Sequence, residues 1–211
     1  ISVQSVLKEA GNLLRTSIPS TIEIRQDIDT ECDAVMADPT QIHQIIMNLA
    51  TNAYHAMQET GGVLGLTLMQ DEIGSDDSGV SPDLKPGAYL KLTVEDTGHG
   101  IDRDVMGKIF DPYFTTKAVG KGTGMGLSVV YGIVKEHGGD IRVYSEPGQG
   151  TAFHVYLPVI ETDAAEPNAI FVEPAPTGTE RILFVDDEEV VVDLAQQMLE
   201  TLGYHVTTHT G

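Results

Sequence analysis

Three groups of residues in this chain have the types and spacing to do chemistry. Asn48, Asn52 and His55 recur at four- and three-residue intervals, which places them on one face of a helix. An amide oxygen suits a hard dication such as Mg²⁺, whose other ligands are waters and phosphate oxygens. That face lies to one side of the helix's apolar stripe, so these amides are not core residues; taken alone, a solvated face explains them equally well. Asp96 ends a run in which Leu90, Leu92 and Val94 alternate with other residues, so its carboxylate falls on the apolar side of a strand. A carboxylate there is costly unless a donor meets it, although an Asp-Thr-Gly turn that merely ends a strand is common. Gly98 and Gly100 follow, and both let the backbone approach closely whatever the carboxylate holds. Third, Gly122-Thr-Gly124-Met-Gly126-Leu leads into a helix, where free N–H groups and the dipole favour phosphate. Lys117 and Lys121 precede it and form a basic patch with Lys108, though each lysine could equally belong to a solvated loop. The spacing fits neither a P-loop nor a dinucleotide fingerprint.

These residues need elements to hold them. The apolar rhythm of Val3, Val6, Leu7, Ala10, Leu13 and Leu14 predicts a helix over 3–14, ended by Pro19. Strands are expected over 22–28 and, briefly, 34–37. The helix bearing the amides starts with Asp38 as its cap, Pro39 in its first turn and Gln41 where a capping-box partner sits. Its core stripe is Ile42, Ile45, Ile46, Leu49, Ala53 and Met57. Strands over 63–70 and 89–96 flank a long exposed loop rich in Gly, Asp and Pro. A helix over 124–136 ends at His137-Gly138-Gly139. A hairpin then joins 141–145 to 151–157 around Glu146-Pro-Gly-Gln-Gly150. The expected fold is an α/β (α+β) sandwich, a mixed and mostly antiparallel sheet with helices packed on one face.

Past Pro158 the composition shifts to Pro, Ala, Glu and Thr, which is linker chemistry. A strand over 181–185, a helix over 188–202 and a strand over 204–208 follow. The expected organisation is therefore a domain over 1–158, a linker over 159–179 and a truncated β-α-β piece over 180–211.

Bulk properties remove several functions. The chain has 211 residues, and 32 acidic against 12 basic residues give a net charge of −20. Such a surface repels nucleic acid and anionic membrane, so neither is an expected partner. One cysteine, Cys32, cannot form an internal disulfide and reads as a small core or strand residue. No apolar stretch reaches the length of a bilayer span, so this piece is expected to be cytoplasmic and to make no membrane contact. The chain opens on Ile and its last module is short, so it reads as a piece of a larger protein whose own membrane attachment stays open.

Taken together, Asn48-Leu-Ala-Thr-Asn52-Ala, Asp96-Thr-Gly98-His-Gly100-Ile, Phe110-Asp-Pro-Tyr-Phe114-Thr-Thr-Lys117, Gly122-Thr-Gly124-Met-Gly126-Leu and Gly148-Gln-Gly150-Thr151 resemble one family. It is the ATP-binding catalytic domain of sensor histidine kinases, in the superfamily of DNA gyrase B, Hsp90 and MutL. The segment from Phe110 to Lys117 is the most specific, since it matches the histidine-kinase F box that gyrase, Hsp90 and MutL lack. The resemblance implies ATP and Mg²⁺ as ligands, with Asn52 holding the metal, Asn48 and His55 near the phosphates, and Asp96 accepting from the adenine amino group. Gly98, Gly100 and Ile101 would line the base. Phe110 and Phe114 would anchor the base of a mobile lid in which Thr115, Thr116, Gly122, Thr123, Gly124, Met125, Gly126 and Leu127 contact nucleotide. Lys117 and Lys121 would meet the γ-phosphate as the catalytic pair, and Thr151 would help hold Asp96 and a water. Ala56 offers no ring where many relatives place an aromatic beside adenine.

In the family the γ-phosphoryl goes to a histidine on a separate helical dimerisation domain. The acceptor motif His-Glu-x-x-Pro is absent here, so that domain is an expected partner and self-labelling is not expected. Hydrolytic cousins carry a glutamate one turn before the magnesium asparagine; Asn48 in that place cannot act as a general base. A hydrolytic ATPase, and a nucleotide-binding or scaffold module without transfer, remain the competing readings. The C-terminal piece resembles the start of a response-regulator receiver domain, in which Asp186 and Asp187 would hold Mg²⁺. That makes a hybrid kinase the expected parent, with a receiver domain or response regulator as partner.

Overall fold

The structure is a computed structural model that describes residues 1–30, 32–74, 84–116, 123–160, 178–186, 196, 199–200 and 203–210. The chain divides into two units, Ile1–Glu161 and Thr162–Gly211.

In the first unit α1 spans Val3–Ser17 and buries Val3, Leu7, Ala10, Gly11 and Leu14, residues three and four apart. It runs past the predicted end because the Ile18 amide still reaches the Leu14 carbonyl at 2.8 Å before Pro19 stops it. Gly11 faces β1 (Ile22–Ile28), where a side chain would collide with the Gln26 amide. The expected strand over 34–37 reduces to a single bridge between Val35 and Val159. The cap of the next helix begins only three residues on, which leaves no room for a ladder.

That helix, α2, spans Pro39–Met57. Asp38 is extended, and its carboxylate accepts from the Thr40 amide at 2.7 Å while Pro39 occupies the first turn. Gln41 does not close a capping box; its side-chain amide reaches Glu136 at 3.4 Å instead. All six residues of the predicted stripe are buried.

Four more strands complete one sheet: β2 (Gly62–Ile73), β3 (Gly87–Asp96), β4 (Asp140–Glu146) and β5 (Gly150–Pro158). Their order is β1-β2-β3-β5-β4. β1 and β2 run parallel and every other pair is antiparallel, so α2 is the crossover a parallel pair requires. β2 and β3 are longer than predicted because Ile73, Leu84, Tyr89 and Tyr156 form a second small buried cluster at that end. A short helix, α3 (Arg103–Met106), was not foreseen, and α4 spans Gly126–Glu136. Gly138 at φ +70° ends α4, as the glycine pair predicted.

Cross-strand register orders the inner face into rows. Leu68, Leu92, Val155 and Ile141 make one row, and Leu66, Val94, Phe153 and Val143 the next. The following row is Leu64, Asp96, Thr151 and Ser145, where the apolar face turns polar. The helices α1, α2 and α4 cover this face. The opposite face carries Thr93 bonded to His154 at 2.8 Å, Lys91 over the Tyr156 ring and Tyr144 beside His154.

In the second unit β6 (Arg181–Asp186) pairs in parallel with β7 (His205–Thr210). Of the helix predicted between them, residues 196, 199 and 200 are described and are helical. Among the described residues no helix is long and apolar enough to cross a membrane.

Leu49 is fully buried on the α2 stripe and does not line the cavity that Asn48 and Asn52 face. Leu49→Ala is expected to lower unfolding free energy by about 2–5 kcal/mol, the usual range for a collapsed-poorly core cavity. Urea unfolding checks it, with a lower midpoint at an unchanged slope.

Candidate active site

Beyond the apolar rows lies a cavity of about 980 Å³, walled by α2, the end of β3, α3, the start of α4 and β5. A nucleoside triphosphate fits a space of this size. Asn48, Thr51, Asn52 and His55 line it from α2, with Tyr54 and Gln58 beside them. The helix separates two jobs: the stripe of Ile42, Ile45 and Leu49 faces the sheet, while the amides face the cavity.

Asp96 sits at the floor, 9% exposed. The Gly98 amide donates to its Oδ1 at 2.8 Å. Burial pushes the Asp96 carboxyl above the ordinary carboxylate range, and the backbone N–H groups of Gly98 and Thr151, with His99, only partly oppose it. Gly98 does not line the cavity, because it backs onto α2. A Cβ there would stand 2.7 Å from the Ala56 carbonyl oxygen, and the His99 amide donates to that same oxygen at 3.2 Å. Gly100, at φ +73°, and Ile101 do line it. Ala56 is part of the wall, small as the sequence implies.

Phe114, Thr115, Thr116, Thr123, Gly124, Gly126 and Leu127 line the far side. The two ends of this stretch are clasped together: the Tyr113 amide donates to the Gly124 carbonyl at 3.0 Å. Both residues adopt left-handed backbone, Tyr113 at φ +66° and Gly124 at φ +65°. A Cβ at Gly124 would come within 2.5 Å of the Tyr113 carbonyl carbon, so only glycine closes the clasp. Phe110 stays outside the cavity and packs on the core, its ring 5.5 Å from that of Tyr131. Met125 is also outside, half exposed. At Gly126 a Cβ would stand 3.2 Å from Asn48 Oδ1, so the amino end of α4 lies directly against the α2 amides.

Thr151 lines the cavity next to Asp96 and is buried. Lys117, Lys121 and Gly122 lie outside the described residues, as does Asp187; Asp186 ends β6. Among the described residues, no cluster of three His, Cys, Asp or Glu could hold a metal ion, so any cation here relies on amide and ligand oxygens. Sequence reasoning missed Thr51, Tyr54, Gln58, His99, Val105, Ile109 and Phe153 in the lining. Thr51 was recoverable, being three residues from Asn48 on the same helix face. Val105 and Ile109 arrive with α3 and the turn after it, too short to show periodicity.

The buried Asp96 carboxylate has a consequence for the free chain. Its folded value lies above the unfolded one, so the native state takes up the proton first as pH falls, and stability from this residue rises below neutrality. Asp96→Asn, which removes the charge, is expected to match or exceed the wild-type melting temperature at pH 7.5. The wild type should close that gap as pH is lowered toward the ordinary carboxylate range, as thermal melting of both proteins will report.

Residues 37–161 match the family described as histidine kinase-, DNA gyrase B- and HSP90-like ATPase. The chain is 40% identical to the sensor kinase CckA of Brucella abortus (strain 2308) over 98% of its own length and 22% of that protein. It is 38% identical to the sensor histidine kinase ZraS of Escherichia coli (strain K12) over 65% of its length and 26% of that protein. The chain thus spans about a quarter of the curated relatives it matches. Among solved structures, the nucleotide-free catalytic domain of the histidine kinase ThkA superposes with a TM-score of 0.59 at 28% identity, covering 75% of this chain and 93% of that one. With the match spanning the amide helix, the Asp96 turn, the clasped segment and the start of α4, the chain belongs to the histidine kinase-, DNA gyrase B- and HSP90-like ATPase family.

Proposed function

We propose that this chain is the ATP-binding catalytic part of a two-component sensor kinase. It binds Mg-ATP in the cavity and delivers the γ-phosphoryl group to a histidine on a helical dimerisation domain outside these residues. The observation that carries this reading is the buried Asp96 carboxylate at the floor of a cavity of about 980 Å³. A carboxylate buried without a cation needs a neutral donor, and a 6-amino group on a purine is one.

The remaining wall suits the rest of the nucleotide. The amino end of α4 and the glycines before it offer backbone N–H groups to phosphate. Asn52 supplies an amide oxygen, a donor that fits a magnesium ion sharing its shell with phosphate oxygens and waters, and Asn48 lies beside the phosphates. When bound, that ion neutralises charge on the phosphates and holds them for in-line transfer. In the transfer the bond from the γ-phosphorus to the bridging oxygen breaks, a phosphorus–nitrogen bond forms on the imidazole, and ADP leaves. Lys117 and Lys121 are assigned to the γ-phosphate by resemblance, His55 to the phosphates, and Thr115, Thr116, Thr123 and Leu127 to the segment that covers them. Asn48 abuts the start of α4 and cannot take a proton from water, so the hydrolytic alternative has no general base at that place.

We further assign 1–158 to the catalytic domain, 159–179 to a linker and 180–211 to the opening β-α-β of a receiver domain. Parallel pairing of β6 with β7 supports this, as does a match to CckA that runs over 98% of this chain. Asp186 and Asp187 are then the acidic pair that holds Mg²⁺ in that module. The parent is a cytoplasmic-facing hybrid kinase, partnered by its own receiver or a response regulator.

Calorimetric titration tests the reading directly. Mg-ATP is expected to bind the wild-type chain only with magnesium present, and Asp96→Asn is expected to lose at least about tenfold in affinity, one charged hydrogen bond's worth. With γ-labelled ATP the chain should not label itself, whereas a supplied histidine-bearing helical domain should acquire label. Stable phosphohistidine on the chain itself, or rapid phosphate release abolished by Asn48→Ala, would overturn it.

A further inference from the structure

We infer that Ser145, a β4 residue outside the cavity lining, is a positioning residue that makes the base end of the site select a 6-aminopurine over a 6-oxopurine; this rests on the nucleotide reading above.

Ser145 closes the polar row of the sheet, opposite Thr151, which itself stands opposite Asp96. Its hydroxyl makes three short contacts: 2.8 Å to the Ile101 amide nitrogen, 2.9 Å to the Gly150 carbonyl oxygen and 2.9 Å to Thr151 Oγ1. A hydroxyl has one proton and two lone pairs, so three contacts use all of it. The directions follow from its partners. Ile101 N–H can only donate, so Ser145 accepts there. The Gly150 carbonyl can only accept, so the Ser145 proton goes there. The contact to Thr151 is then a hydrogen bond only if Thr151 donates to Ser145.

Two donors at this edge of the cavity are therefore committed to Ser145: the Ile101 amide and the Thr151 hydroxyl. Ile101 and Thr151 both line the cavity. Thr151 is left with lone pairs only to offer a ligand, and the ionised Asp96 beside it is acceptor-only as well. An edge made of acceptors complements an exocyclic amino group. A 6-oxo group in its place would set an oxygen against oxygens, a mismatch of the kind that gives strong discrimination in hydrogen-bonding sites. Replacing Ser145 with alanine releases both donors. The Thr151 proton can then rotate toward the ligand, and the edge, with Asp96 alone left as acceptor, discriminates less.

The test compares Mg-ATP with Mg-ITP, which differ by the 6-amino and 6-oxo groups, on the full chain by calorimetry. The wild type is expected to prefer ATP. Ser145→Ala should weaken ATP binding about fivefold and narrow the ATP-to-ITP ratio by at least about fivefold, the effect of re-pairing one buried donor. Ser145→Thr keeps the hydroxyl and should restore the ratio. Should thermal melting show Ser145→Ala unfolded, Ser145→Cys has nearly the same volume and a weaker acceptor, and must show the same narrowing. A ratio unchanged in the alanine variant, whether both nucleotides hold or weaken together, assigns Ser145 a structural role alone and overturns the inference. A wild type that binds both nucleotides equally overturns the inference while leaving the nucleotide site standing. A wild type that binds neither removes the nucleotide reading and this inference with it.

Discussion

A carboxylate on the inner face of a sheet is the constraint around which this site is built. Two rows of apolar side chains run across β2, β3, β5 and β4, and the register then delivers Asp96 to the same face. Once there, it cannot be left to the core, because an unpaired buried charge is among the costliest features a fold can carry. Backbone N–H groups from Gly98 and Thr151 meet it, yet burial still outweighs them and holds its proton affinity high. The glycines around it follow from the same geometry. Gly98 must press against the Ala56 carbonyl, and Gly150, at φ +109°, must pass against the Asp96 backbone. The turn after β3 is thus shaped to satisfy a charge while leaving one side of it open to a ligand.

α2 is the element that lets core and site coexist. Its apolar stripe and its amide face lie on different sides of one cylinder, so each can be filled without disturbing the other. The Asp38 cap and Pro39 fix where the helix begins, and that choice sets which residues reach the cavity, from Asn48 ten positions after the cap to His55 seventeen after it. The clasp between Tyr113 and Gly124 plays a comparable part on the opposite wall. It brings Phe114 and Gly124 to one edge even though nine positions separate them in sequence, and it uses backbone conformations that only one of the two residues adopts without strain.

What could be read from sequence follows the strength of the local signals. The α2 stripe, the Asp38 cap and the hairpin between β4 and β5 were legible because periodicity and turn chemistry are carried by neighbouring residues. Asp96 was legible for the same reason, since alternation along one strand places it on the apolar side. The segment over 34–37 read as a strand from composition, but pairing needs a partner, and Val35 finds only Val159. Gln41 stands at the capping-box position and yet bonds to Glu136, a residue brought near only by the packing of α4 on α2. Ser145 was invisible for a similar reason. Its partners are Ile101, Gly150 and Thr151, and the turn that carries Ile101 comes near only through the pairing of β3 and β4 on either side of β5. Phe110 and Met125 belong to the right motifs but face the core and solvent, because a motif fixes spacing along the chain and not the direction of each side chain.

Charge sets a final requirement on the site. The chain carries a net charge of −20, and a nucleoside triphosphate adds several more negative charges to it. None of the described residues lining the cavity is Lys or Arg. On the proposed reading, compensation within that lining comes from backbone N–H groups at the start of α4 and from a cation held by the ligand and by Asn52. The acidic chain therefore disfavours a bare triphosphate and favours one that arrives already paired with a dication. On the proposed reading the magnesium ion would be part of what the site recognises as well as part of the chemistry, and Asn52 on α2 would sit where recognising it and aligning the phosphates are the same act.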